Sequence, residues 1–258
     1  MAYEDILLER EGSTAVVTLN RPERRNALSL AMLGQLTKCF REIGSDAAVR
    51  VAILRANGPA FSAGHDLAEM TGREGGFYRE LFEACTALME TIQGIPQPVI
   101  AEVHGIATAA GCQLVASCDL AVAAEEARFA TPGVKIGLFC STPMVALSRA
   151  VGARRAMEML LTGEAIPARE ALAAGLVNRV VPAAELASAT RALAAKIAAS
   201  SPHVVAIGKA AFYRQLQMPQ PLAYDYAQDV MAANAAAADA QEGMKAFLEK
   251  RPAKWCGR

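Results

Sequence analysis

The sequence predicts an α/β fold in which a sheet-bearing first part leads into a mostly helical C-terminal region. Three observations carry this reading. Short β-branched runs alternate with helical periods over the first 140 or so residues, and beyond Ser141 the pattern is mainly helical. The chain of 258 residues, 53% hydrophobic and 20% charged, is also long and apolar enough to bury a sizeable core, which excludes disordered and collagen-like architectures.

The opening residues MAYEDILLER hold Glu4 and Asp5 and no apolar h-region, so they read as the start of a mature domain and not as a signal peptide. Strands are expected over 6–10 and 15–19, with Gly12-Ser13 turning a hairpin between them. Ser29 suits the N-cap of a helix reaching about residue 43, which Gly44 is expected to stop. A strand over 51–55 and a helix over 77–92 follow, and Pro96-Gln97-Pro98 breaks the chain ahead of a strand over 99–104. Small and apolar residues over 109–117 fit a helix packed tightly beneath a sheet, with a strand over 120–123 after it. Residues 98–124 form the most apolar tract, but Glu102, His104, Gln113 and Asp119 interrupt it, which argues against a membrane span. Helices are then expected over 142–151, 154–161, 168–173, 183–200, 202–217 and 221–248, the last broken near Asn234.

Lys plus Arg and Asp plus Glu each number 26, and the pI is near 6.8, so no global basic excess favours nucleic acid or an anionic membrane. The cysteines at 39, 85, 112, 118, 140 and 256 form no CxxC pair and have no His at ligand spacing, which fits buried thiols in a reducing compartment and no metal site. A bacterial cytoplasm is expected, or a mitochondrion if the source is eukaryotic. The glycines at 58 and 64 come within one residue of P-loop spacing, but His65-Asp66 stands where Lys and Ser or Thr are needed. There is no G-x-G-x-x-G, H-E-x-x-H or G-x-S-x-G.

Two strand exits stand out: Gly58-Pro-Ala-Phe-Ser-Ala-Gly-His-Asp-Leu67 and His104-Gly-Ile-Ala-Thr-Ala-Ala-Gly-Cys-Gln113. Their small residues permit close backbone approach, and the second enters a helix whose first N–H groups are free, a geometry suited to an oxyanion. From the residues alone, tight turns chosen for packing are the more common explanation.

Together with Phe61-Ser-Ala-Gly-His-Asp-Leu67, the blocks Pro98-Val-Ile-Ala101, Gly105 through Asp119, Phe129-Ala-Thr-Pro-Gly133, Leu161-Thr-Gly-Glu164 and Ala171-Leu-Ala-Ala-Gly-Leu-Val177 resemble the enoyl-CoA hydratase/isomerase, or crotonase, superfamily, in order and over nearly the whole chain. Residues 107–119 and 137–143 resemble one branch of it in particular. The resemblance implies a spiral of ββα units over residues 1–200 and a helical trimerisation region over 201–258, assembled as a homotrimer or a dimer of trimers. It implies an acyl-CoA thioester as substrate, coenzyme A entering only as part of it, with no separate cofactor. The thioester carbonyl would be held by the backbone N–H groups of His65 and Ala110.

The departures matter equally. Superfamily hydratases carry two Glu residues where this chain has Gln113 and Gly133; an amide holds water without titrating, and glycine supplies nothing. Each lost acid–base role costs about 10² to 10⁴ in rate, so ordinary hydration is not expected, and Gln113→Glu with Gly133→Glu is expected to raise it. Ser141 sits where some relatives carry an Asp, and Cys140 beside it is either a thiolate nucleophile or, as the better reading, an inert buried thiol. His65 has a ring able to act near neutral pH, or only its N–H serves. His104, His203 and Asp119 read as structural.

For the nucleotide, the resemblance points to Arg24, Arg25 and Ala27 in one loop, to Ala63, Asp66 and Leu67 in the next, and to Phe247 and Lys250 reaching a neighbouring subunit's ligand. The leading reading is thus an acyl-CoA enzyme that uses an oxyanion hole without two-Glu hydration. Its alternatives are a noncatalytic acyl-CoA-binding oligomer and a hydratase with atypical residues.

Overall fold

A computed structural model describes residues 3–258. In chain order, β1 (Ile6–Glu11), β2 (Thr14–Leu19), α1 (Leu30–Ser45), β3 (Val51–Ala56), α2 (Leu67–Met70), α3 (Gly75–Gly94), β4 (Val99–Val103), β5 (Ile106–Thr108), α4 (Ala110–Ser117), β6 (Leu120–Ala124) and β7 (Arg128–Ala130) make the first half. There follow α5 (Pro143–Ala150), α6 (Ala153–Thr162), β8 (Ile166–Pro167), α7 (Ala168–Ala174), β9 (Arg179–Val181), α8 (Leu186–Ala198), α9 (Pro202–Gln215), α10 (Gln220–Ala236) and α11 (Ala238–Leu248).

Six strands form one sheet in the order β1-β2-β3-β4-β6-β9, antiparallel at β1–β2 and parallel elsewhere, while β5, β7 and β8 form a small second sheet. The chain passes from β4 to β5 to α4, then from β6 to β7 and on to helices, which is the expected spiral of ββα turns. Single bridges at Leu28↔His65 and Ser62↔Ala107 carry the narrow layer back into the two preceding turns.

The parallel strands read as nearly continuous apolar runs because both faces are covered. Ala15, Val17, Leu19, Ala52, Leu54, Ala101 and Val103 belong to the main core with Leu33, Phe40, Leu81 and Leu88 of α1 and α3. Their alternates Val16, Val51, Ile53, Ile100 and Val122 meet Leu186 and Ala194 of α8 on the opposite face. By contrast, apart from the Lys209 side chain, α9 and α10 bury little within the chain and leave Phe212, Leu222 and Met231, with Leu216 just past α9, more than half exposed.

Ser29 caps α1 as expected, its Oγ accepting from Met32 N at 3.1 Å. Gly44 does not stop that helix, which runs to Ser45. Its lack of a side chain serves packing, since a Cβ there would stand 2.7 Å from Ile95 Cγ2. The fourth strand ends at Val103, one residue early, and His104 just beyond it places its Nε2 2.8 Å from Gly58 O. The stretch expected as one helix over 183–200 opens with a 3-10 turn, and the final long stretch is broken near Asn234 as expected, at Ala237, whose N–H donates to Asn234 O. Strands β5, β7, β8 and β9, of two or three residues each, are too short to show a period in sequence.

Candidate active site

Two of the loops that form the site, residues 20–28 and 57–66, are tied together by Asn26. This residue is fully buried at φ 52°; its Nδ2 donates to Asn57 O at 2.8 Å and Ala60 O at 2.9 Å, while its Oδ1 accepts from Arg21 N at 2.9 Å. Ser62 Oγ returns a bond to Asn26 O at 2.9 Å. The loop carrying Arg24 and Arg25 is thereby laid against residues 57–64.

The parallel bridge there decides which amides remain free. Leu28 N donates to Gly64 O at 2.7 Å and Asp66 N to Leu28 O at 3.3 Å, which leaves the N–H of His65, between them, turned away from the ladder. The second free amide opens α4. Ala109 N donates to Ala130 O at 2.9 Å, Gln113 N reaches back to Ala109 O at 3.0 Å, and Ala110 N lies in the first turn, where no intrahelical acceptor exists. Neither His65 N nor Ala110 N has an acceptor among the described residues. Ala109 reaches this arrangement at φ 51°, ψ −118°, a strained conformation for a residue with a Cβ and one that concentrates at functional sites.

Gly64 joins the two loops. It sits at φ +87°, and a Cβ on it would lie 2.8 Å from Ala109 Cβ and 3.2 Å from Ala110 N. Its absent side chain therefore lets the peptide that carries His65 N approach the start of α4. The partial positive charge of that helix end adds to the two donors.

Around these amides the polar groups are few. The imidazole of His65 packs edge-on against Phe82 of α3, with centroids 5.5 Å apart and planes at 69°. Both ring nitrogens are buried without a hydrogen-bond partner among the described residues. Burial pushes its pKa below the ordinary 6.5; the Leu28 backbone nearby opposes that shift without reaching hydrogen-bond geometry. Gln113 is buried, and its Oε1 accepts from Cys85 Sγ at 3.8 Å.

Gly133 has no room for a side chain: a Cβ would overlap Leu138 O and stand 2.8 Å from Cys140 Sγ. Leu138 N in turn donates to Gly133 O at 2.9 Å. Burial pushes the Cys140 thiol up, with the Gly133 backbone pulling partly back, which is the direction opposite to what a thiolate needs. Burial likewise pushes Cys85 and Cys112 up to about 12. Ser141 is exposed and turns its Oγ to Phe139 O at 3.4 Å.

The residues expected along the nucleotide divide. Arg24 and Arg25 are exposed, Arg25 at φ 51°, while Ala27 is buried and Ala63 N donates to Arg25 O at 3.0 Å. Asp66 caps α2 through Ala68 N at 3.2 Å and faces Arg21 Nη2 at 3.4 Å; Leu67 beside it is exposed. Phe247 on α11 is 83% exposed, and Lys250, at φ 53°, lies just past the helix end. Two open surface concavities, about 610 and 550 Å³, run along α1 and α3 and include none of His65, Ala110, Gln113 or Gly133.

Asp119 braces the strands as expected, accepting from Val99 N at 2.6 Å, but sequence reading missed its partners. Lys209 Nζ donates to Asp119 Oδ2 at 2.7 Å, to Ile92 O at 2.8 Å and to Gln97 O at 2.9 Å, and Tyr213 Oη donates to Asp119 Oδ1 at 2.9 Å. Lys209 and Tyr213 one helical turn apart on an Ala-rich helix are a faint signal; the loop hub Asn26 gives none beyond its place after Arg24-Arg25.

A family model described as Enoyl-CoA hydratase/isomerase matches residues 9–258. Enoyl-CoA hydratase domain-containing protein 3, mitochondrial, of Xenopus laevis is 50% identical over 250 residues, covering 96% of this chain and 85% of that protein. The crystal structure of an enoyl-CoA hydratase of Mycobacterium smegmatis superposes with a TM-score of 0.96 at 51% identity, covering 98% of this chain and 99% of that one. That of human enoyl-CoA hydratase domain-containing protein 3 does so with a TM-score of 0.95 at 48% identity, over 98% and 100% of the two chains.

Proposed function

The chain belongs to the enoyl-CoA hydratase/isomerase family, and on that premise we propose that it binds an acyl-CoA thioester with the carbonyl oxygen between the amides of His65 and Ala110, stabilising the thioester enolate there. The supporting observation is that these two N–H groups have no acceptor and lie across the Gly64–Ala110 contact. A donor of this kind is worth about 2.7 to 4 kcal/mol to a developing oxyanion.

In this reading Arg24 and Arg25 meet phosphates of the coenzyme, and the loop walls at Ala27, Ala63, Asp66 and Leu67 border the nucleotide. Phe247 and Lys250 reach the ligand of an adjacent subunit in a trimer or dimer of trimers. The exposed apolar side chains of α9 and α10 support such an assembly. Rapid two-carboxylate hydration is not the reaction, because Gln113 does not titrate and the volume over Gly133 is filled by Leu138 and Cys140.

Binding and turnover across saturated, enoyl, hydroxyacyl and aromatic CoA thioesters test this. Saturable binding with turnover of at least one thioester, and slow hydration of a short trans-2-enoyl-CoA, is expected. Binding with no turnover on any member supports the noncatalytic alternative. Fast hydration of the enoyl thioester, unaffected by Gln113→Ala, overturns the account of the site.

A further inference from the structure

We propose that the imidazole of His65 is the acid–base group that removes and returns the α-proton of the bound acyl thioester. The proposal rests on the acyl-CoA reading above and adds to it the group that moves the proton.

The two free amides are each followed by a polar side chain, and the two side chains meet one wall. The His65 ring hangs from the residue that supplies the first amide, so it stays within one side-chain length of whatever that amide binds. Its ring lies on Phe82 of α3 at 5.5 Å. Gln113 lies one turn beyond Ala110 on α4, and its carboxamide meets Cys85, one turn beyond Phe82 on the same helix. The two side chains that accompany the free amides therefore meet the same stretch of α3, at Phe82 and Cys85.

Against that wall the ring is unsatisfied among the described residues. Both of its nitrogens are buried with no partner, a state that native proteins rarely leave unused. The T-shaped contact with Phe82 fixes the ring plane but satisfies neither nitrogen. Other groups there are poor candidates: Gln113 does not titrate, Gly133 has no side chain, and burial keeps the thiols of Cys85, Cys112 and Cys140 protonated. Burial instead favours the neutral imidazole, whose unprotonated nitrogen offers a lone pair at neutral pH.

In the step, the bond between C2 and its hydrogen breaks and the proton passes to the imidazole. The electron pair moves through C1 onto the thioester oxygen facing the two amides. Collapse of the enolate takes a proton back from the imidazolium, so charge and atoms balance without an oxidant or metal.

The test is deuterium incorporation at C2 of butyryl-CoA in D₂O, followed by NMR, with the dissociation constant measured on the same full-length protein. Wild type should label C2, and His65→Phe and His65→Gln, which keep the backbone amide, should label at least about 100-fold more slowly while still binding the thioester. Using both variants guards against one failing to fold. Wild type that binds without labelling, or either variant labelling at the wild-type rate, overturns the proposal; so does loss of binding together with labelling in both folded variants, which makes the ring structural. Failure of wild type to bind any CoA thioester overturns the acyl-CoA reading instead.

Discussion

The carbonyl oxygen of Leu138 occupies the place where a side chain on Gly133 would have to begin, and Cys140 Sγ stands 2.8 Å from the same point. The missing second acid is therefore a filled volume and not an empty one. Sequence alone suggests that Gln113→Glu with Gly133→Glu restores hydration; the structure reverses that expectation, because the second carboxylate cannot enter without displacing 138–140. Gly133→Ala alone should destabilise the fold by about 1 to 3 kcal/mol through overpacking, read from urea unfolding. The double variant should show no gain over Gln113→Glu in loss of enoyl absorbance.

Gly64 yields a second prediction, in which crowding is separable from strain. Gly64→Ala puts a Cβ at φ +87° and 3.2 Å from Ala110 N, whereas Gly72, at φ +73°, has nothing within 4 Å of such a carbon. Both substitutions should cost stability of roughly 1 kcal/mol or more from the left-handed backbone. Only Gly64→Ala should also weaken butyryl-CoA binding, by about tenfold or more, equivalent to about 1.4 kcal/mol. Calorimetric titration of both variants checks this, and equal affinities would separate Gly64 from the site.

Much of this architecture is legible in the sequence because its signals are local. The Ser29 cap, the hairpin at Gly12 and the β-branched run within residues 15–19 all depend on near neighbours. The free amides are harder to read, since a backbone N–H looks alike under any side chain; only the small residues around Gly64 and Gly111 betray them. What stayed hidden is tertiary: Asn26 bonds residues some thirty positions away, and Leu138 fills the space over Gly133 only because residues 133–140 fold back on themselves.

A third prediction concerns acid. Asp239 is buried, which by itself raises its pKa, but bonds from Ser201 Oγ, Cys256 N at 2.6 Å and Gly257 N at 3.0 Å outweigh burial and hold it at about 2, below the ordinary 3.8. A carboxyl depressed on folding contributes stability that is fully present above its unfolded pKa and is lost as pH falls through the folded value. The C-terminal tail should thus stay docked at pH 5 and detach progressively between about pH 4 and 2. Trp255, the single tryptophan, donates to Ala199 O at 2.8 Å and reports that docking. Its fluorescence should follow the titration in wild type, while Asp239→Asn should show the detached signal already at pH 5.

The buried pair Lys209–Asp119 carries the last prediction, since it fastens the C-terminal helical region to the edge of the core. The two side chains are only 6% and 13% exposed, and all three ammonium protons have acceptors: Asp119, Ile92 O and Gln97 O. Burial pulls the Lys209 pKa down while Asp119 pulls it back up, so the charged form depends on its partner. Lys209→Met removes the cation and leaves Asp119 with only Val99 N and Tyr213 Oη. An uncompensated buried charge of this kind costs about 3 to 5 kcal/mol. Lys209→Met with Asp119→Asn removes both charges and keeps a side chain that can still accept from Val99 N. The double variant should therefore be more stable than Lys209→Met alone, with an interaction term of about 1 to 3 kcal/mol in a double-mutant cycle. Denaturant unfolding of the four proteins measures it, and additive losses would show that Val99, Tyr213 and the helix packing hold this junction without help from the ion pair.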